Sequence, residues 1–226
     1  RQGRMQEAQA LIQENLQLDP FDFVSGNERI LVEGDSDGSK RQVLNSLMRD
    51  FVENYLMTAR DYAEWGAYDE AVSVLDCCTK RQPMLFYCRA YYLAAGSGSE
   101  EEIRQTLKAA EEQKPDYCFP NKLEDIAVLQ SAIDRGCHAK APYYLANLYY
   151  DKLQWQEAVR LWELSVKTDP AFPTAHRNLA LAYYNKCKEP EKAEQALETA
   201  FALDPSDVRV FLELDQLHKK LGWSFE

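Results

Sequence analysis

No run of apolar residues in this 226-residue chain approaches the roughly 18 needed to cross a bilayer as a helix. No stretch alternates apolar and polar residues in the way a half-buried strand does, which excludes sandwiches and barrels. There is no glycine-rich phosphate loop, no CxxC pair and no zinc-finger spacing. Only three histidines occur, His138, His176 and His218. His138 follows Cys137, yet no third partner stands near them in sequence, so a nucleophile–base arrangement has no support. The carboxylates are many but fall on polar helix faces, where choosing two as a glycosidase pair would be arbitrary. Basic residues are outnumbered, 26 against 37, leaving a net charge of −11. Such a surface repels phosphate backbones, so nucleic acid is not an expected partner.

Six cysteines are present, at 77, 78, 88, 118, 137 and 187. Their spacing fits no compact disulfide framework, and several fall where a helical repeat wants a small buried side chain. Free thiols in a reducing, cytoplasmic setting are expected. No signal peptide heads the chain, but without an initiator methionine this says little about the native protein. Asp35 and Asp37 supply half of a calcium loop; the third acidic ligand and the closing glutamate are missing. The expectation is no catalytic residue, no cofactor and no metal.

What the sequence does contain is a repeat. Pro142-Tyr143-Tyr144-Leu145-Ala146-Asn147-Leu148-Tyr149, then Ala158, Trp162 and Asp169-Pro170, share a skeleton with His176-Arg177-Asn178-Leu179-Ala180-Leu181-Ala182-Tyr183, then Ala193, Leu197 and Asp204-Pro205. The offset is near 34 residues, with small, aromatic and proline residues at fixed places. The same skeleton is read in Tyr55, Ala59, Tyr62, Gly66, Ala71, Leu75 and Pro83. Small residues at 59, 146 and 180 on one helix meet 71, 158 and 193 on the next, which lets two helices pack closely. Tyr62, Tyr149 and Tyr183 are expected to wedge between repeats, and Pro83, Pro170 and Pro205 to stop second helices.

On these residues the chain resembles the tetratricopeptide repeat family. The resemblance implies an all-α fold, an α-α superhelix: a right-handed solenoid of antiparallel helix hairpins. One solenoid over 1–226 is expected, with a half repeat at 1–20, irregular helices and a loop at 21–50, and a repeat at 51–83. A degenerate repeat at 84–115 and a connector helix at 116–138 follow. Repeats at 139–172 and 173–205 and a capping helix at 206–226 complete it, with Ser206 as cap. Trp223 and Phe225 are expected to fold back over that helix. Leu123, Ile126, Ala127 and Ile133 are expected to face inward from the connector. Residues 3–20 read as a second helix without its first, exposing Leu11 and Leu16, so a piece of a longer polypeptide is expected.

A second resemblance rests on Tyr117-Cys118-Phe119-Pro120, Leu123-Glu124-Asp125-Ile126-Ala127-Val128-Leu129, and Ala141-Pro142-Tyr143-Tyr144-Leu145 with Tyr150-Asp151-Lys152. It is similar to the C-terminal repeat region of large bacterial proteins that carry an N-terminal domain of unknown function and suspected link to carbohydrate.

First helices line the concave face of such a solenoid. The expected partner-binding residues are Tyr143, Tyr144, Asn147 and Tyr150, then Arg177, Asn178 and Tyr184, then Arg209. Rings stack and amides hydrogen-bond to a peptide or an extended glycan. Chaperone-binding members of the family clamp a C-terminal carboxylate with two Asn and several Lys or Arg. Asn147 and Asn178 match the asparagines, but Tyr143 and Glu213 stand where basic residues should, so no clamp is expected. Two functions remain open: a scaffold holding a protein, a peptide or another domain of its own chain, with a homodimer of the fragment possible; or the accessory region of a larger carbohydrate-active enzyme.

Overall fold

The computed structural model describes residues 3–222, and Trp223 and Phe225 lie outside them. Among the described residues 13 α-helices and no strand occur, and the fold is 74% helical. No helix among them is long and apolar enough to cross a membrane. All six cysteines are free thiols. The chain divides into two compact units, Arg1–Lys114 and Pro115–Glu226.

The first unit holds α1 (Met5–Leu18), α2 (Phe23–Glu33), α3 (Ser39–Met48), α4 (Val52–Glu64), α5 (Tyr68–Leu75), α6 (Pro83–Ala95) and α7 (Glu100–Glu112). Consecutive helices pack pairwise as hairpins across short turns, α4 on α5 and α6 on α7 most extensively. Ala59 and Ala71 are completely buried at the first of these contacts, where a larger side chain would hold the axes apart. Gly66 ends the α4 turn in the left-handed region, at φ 73°. Gly98 is required at the α6–α7 turn, because a Cβ there would stand 2.6 Å from Leu93 Cβ and 2.8 Å from its carbonyl oxygen. Ser99 caps α7 by accepting from the Glu102 amide, ahead of three first-turn glutamates.

The loop carboxylates are used as caps. Asp35 accepts from the amides of Lys40 and Arg41, and Asp37 from that of Ser39, so both hold the start of α3. Tyr62 is fully buried, and its hydroxyl accepts from Asn27 and donates to Glu28, tying α4 to α2. Leu11 is 55% exposed and Leu16 half-buried.

One expectation fails here. Pro83 does not stop α5, which ends eight residues earlier at Leu75; it opens α6 instead, where its missing N–H costs nothing. The intervening turn is held by Asp50, whose carboxylate accepts from the Thr79 amide at 2.8 Å and from the hydroxyl of Thr79. Arg49 and Asp50 both take positive φ to place that carboxylate, breaking the chain between α3 and α4.

The second unit holds α8 (Glu124–Asp134), α9 (Lys140–Asp151), α10 (Trp155–Thr168), α11 (Pro173–Ala182), a π-helical turn (Tyr183–Cys187), α12 (Pro190–Leu203) and α13 (Val208–Leu221). α9 packs on α10 and α11 on α12, and Ala146, Ala158, Ala180 and Ala193 on these helices are all buried. These two hairpins carry the clearest sequence repeat, and α8 and α13 flank them. Pro170 and Pro205 follow helix ends, as expected. Tyr183 is buried and donates to Glu163 at 2.7 Å. Burial, then that glutamate, pushes its phenol well above the usual range.

Two expectations change in this unit. The cap of α13 is Asp207, which accepts from the Arg209 amide; Ser206 is turned back onto Asp204. On α8, Ile133 is buried and Ile126 half-buried, but Leu123 and Ala127 face out, and Val128, Leu129 and Ala132 fill the core. The register is set by Asp125, whose buried carboxylate accepts from the Asn121 and Lys122 amides.

Candidate functional site

The second unit brings α9, α11 and α13 side by side through their side chains. Asn147 on α9 is the junction. Its Oδ1 accepts from the Trp162 indole of α10 at 3.1 Å and from Asn178 Nδ2 of α11 at 3.0 Å. Arg177 on α11 makes a two-point ion pair with Glu213 on α13: Nε donates to Oε2 at 2.8 Å, and Nη2 to Oε1. Lys220 of α13 lies 5.2 Å from the centre of the Tyr184 ring. These links make one continuous surface of half-buried polar and aromatic groups.

Tyr143 backs this surface rather than lining it. It is 6% exposed, with its ring 4.6 Å from that of Phe172. Burial raises its pKa, partly offset by the side-chain amides of Asn147 and Asn178 beside its hydroxyl. Tyr144 is a correction: it is fully buried in the core and offers nothing to a partner. Adjacent helical residues point about 100° apart, so two neighbouring tyrosines cannot share one face. Tyr150 is half-buried against Trp162, ring centres 5.4 Å apart. Arg209 is open to solvent and leans on Asp207, which with its hydrogen bonds holds the guanidinium pKa up.

Of the eight expected residues, the structure therefore joins Asn147, Arg177 and Asn178 directly. It places Tyr150 half-buried on α9 and Tyr184 half-buried in the π-helical turn after α11, with Tyr143 behind the surface, Arg209 at the exposed start of α13 and Tyr144 in the core. Sequence reading missed Trp162 as the support of Asn147; its 15-residue offset within one hairpin was the available signal.

The charges on this surface cancel locally. Glu213 engages Arg177 and Asp207 engages Arg209. What faces a ligand is an acceptor beside a donor, joined to each other only by a long hydrogen bond. Asn178 gives its N–H to Asn147, so its Oδ1 is turned toward Arg177 Nη1 at a long 3.5 Å. An amide acceptor beside a guanidinium donor whose charge Glu213 already offsets suits the N–H and C=O of a peptide group.

No protein-family model matches the chain. Solved structures similar to it include MamA from Desulfovibrio magneticus RS-1, 20% identical over 76% of this chain and 86% of that one, with a TM-score of 0.43. Another is YrrB, described as a TPR protein with an unusual peptide-binding site: 16% identical, covering 91% and 97%, TM-score 0.40. A third is the C-terminal part of a TPR repeat-containing protein from Cytophaga hutchinsonii: 16% identical, covering 97% and 72%, TM-score 0.46. At these values the likeness carries nothing about function.

Proposed function

We propose that this chain is an interaction scaffold whose second unit holds an extended peptide segment of a protein partner across α9, α11 and α13. The observation that carries the reading is the Asn178 acceptor beside the Arg177 donor. Both are fixed from behind, Asn178 by Asn147 and Arg177 by Glu213. Groups pinned in this way lose little side-chain freedom on binding, which favours recognition. Tyr150 and Tyr184 flank them with half-buried ring faces suited to apolar side chains of the peptide. Because the local charges are already paired, backbone and apolar groups of the ligand are read rather than a terminal carboxylate.

A peptide-display selection against the full chain tests this. Selected peptides should bind the wild type and lose at least tenfold in affinity, about 1.4 kcal/mol, against Asn178→Ala plus Tyr184→Ala. Both residues are partly exposed, so the fold should survive, as circular dichroism will show. Equal binding to the variant refutes this location. Loss of binding to Arg209→Glu alone, with Asn178→Ala silent, would indicate a charge-reading surface instead.

A further inference from the structure

Two helices of the second unit converge three side chains that no sequence motif joins. Glu194 and Glu198 stand one turn apart on α12, and His218 reaches them from α13. One ligand atom from each lies within 4.8 Å of the other two. His218 Nε2 is 3.0 Å from Glu194 Oε1, with the two side chains only 26% and 18% exposed. The Glu194 Oε1 is sealed from solvent and accepts no well-aligned hydrogen bond. A desolvated carboxylate oxygen in that position is costly unless a positive charge meets it.

The neighbouring cations are engaged elsewhere. Lys192 pairs with Glu189 at 2.6 Å, Lys219 with Asp215 at 2.6 Å, and Lys220 lies over Tyr184. Among the described residues neither Glu194 nor Glu198 pairs with a lysine or arginine. Two carboxylates at i and i+4 repel each other on a helix. Here the group that faces both is one imidazole.

We propose that Glu194, Glu198 and His218 form a site for a divalent transition metal, with zinc the best match. An imidazole with two carboxylates is a borderline donor set that suits zinc, whereas magnesium and calcium prefer oxygen alone. Tetrahedral zinc with bonds near 2.0–2.1 Å separates its ligand atoms by about 3.3 Å, close to the observed His218–Glu194 spacing. Three protein ligands leave one position for water or for a side chain of a partner. The bound ion bridges α12 to α13 and so fastens the helix that supplies Glu213 to the peptide surface. The 20-residue offset from Glu198 to His218 hides the site from any motif search, and the expectation of no metal rested on short spacings alone.

Zinc chloride titrated into the reduced full-length chain by calorimetry tests this. One ion should bind per chain and raise the thermal midpoint. Glu198→Gln and His218→Ala should each weaken binding at least tenfold, since even loss of an outer-shell partner typically costs about 10–100-fold. Glu198 is exposed, so its variant keeps the fold. Absence of saturable uptake overturns the proposal. So does equal uptake by both variants, or uptake abolished instead by Cys187→Ser, which would assign the metal to a thiolate.

Discussion

Replacing Asn147 by alanine probes the junction of the proposed surface. Its Oδ1 serves two donors in different surroundings. Trp162 is 2% exposed, so its indole N–H would be left buried without an acceptor, costing about 1–3 kcal/mol. Asn178 is half-buried and can turn its amide to water, so its loss adds little. The expected destabilisation is therefore about 1–3 kcal/mol, dominated by the tryptophan. In a Trp162→Phe background no orphan N–H remains, and the same Asn147→Ala change should cost at least 1 kcal/mol less. Urea unfolding followed by circular dichroism, with unchanged m-values, measures both arms of the cycle. Equal cost in the two backgrounds, or a single-variant loss within about 0.5 kcal/mol, would refute the assignment of Asn147 as a bridging acceptor.

Other outcomes follow from the same packing. Ala158→Leu inserts a branched side chain at the fully buried α9–α10 contact and should destabilise by about 1–3 kcal/mol in urea unfolding. Gly98→Ala places its methyl against Leu93 backbone and Cβ, and should lower the thermal midpoint measured by circular dichroism by several degrees. Hydrogen bonds from the Thr79 hydroxyl, then its amide, hold the Asp50 carboxyl below its ordinary 3.8. The unfolded chain therefore takes up the proton first as pH falls. The contribution of Asp50 is complete above that value and is lost as pH drops through the depressed native pKa. Asp50→Asn should flatten the acid dependence of the urea midpoint below about pH 4, and an unchanged slope would contradict the turn-holding role.

The hairpins were legible because close helix packing demands small residues at a fixed period. Ala146, Ala158, Ala180 and Ala193 are buried as the repeat required. Proline was ambiguous, since it suits both the end of one helix and the first turn of the next; Asp50 decided for Pro83, and its hold on Thr79 is a long-range contact with no local signature. On α8 the apolar pattern admitted two registers, and the buried Asp125 fixed the other one. The site was half legible. The repeat offsets brought out Asn147 and Asn178, but Tyr144 beside Tyr143 could not be assigned to a face without the register. Side chains that meet across helices, Arg177 with Glu213 and Glu194 with His218, are 36 and 24 residues apart, and nothing local couples them.

The most direct test of the scaffold reading is amide and side-chain chemical-shift mapping of the labelled chain on adding a selected peptide. The side-chain amide of Asn178 and the backbone of α9, α11 and α13 should shift together and saturate at one peptide per chain. Saturable shifts confined to the first unit, with the Asn147 and Asn178 amides unmoved, would contradict it.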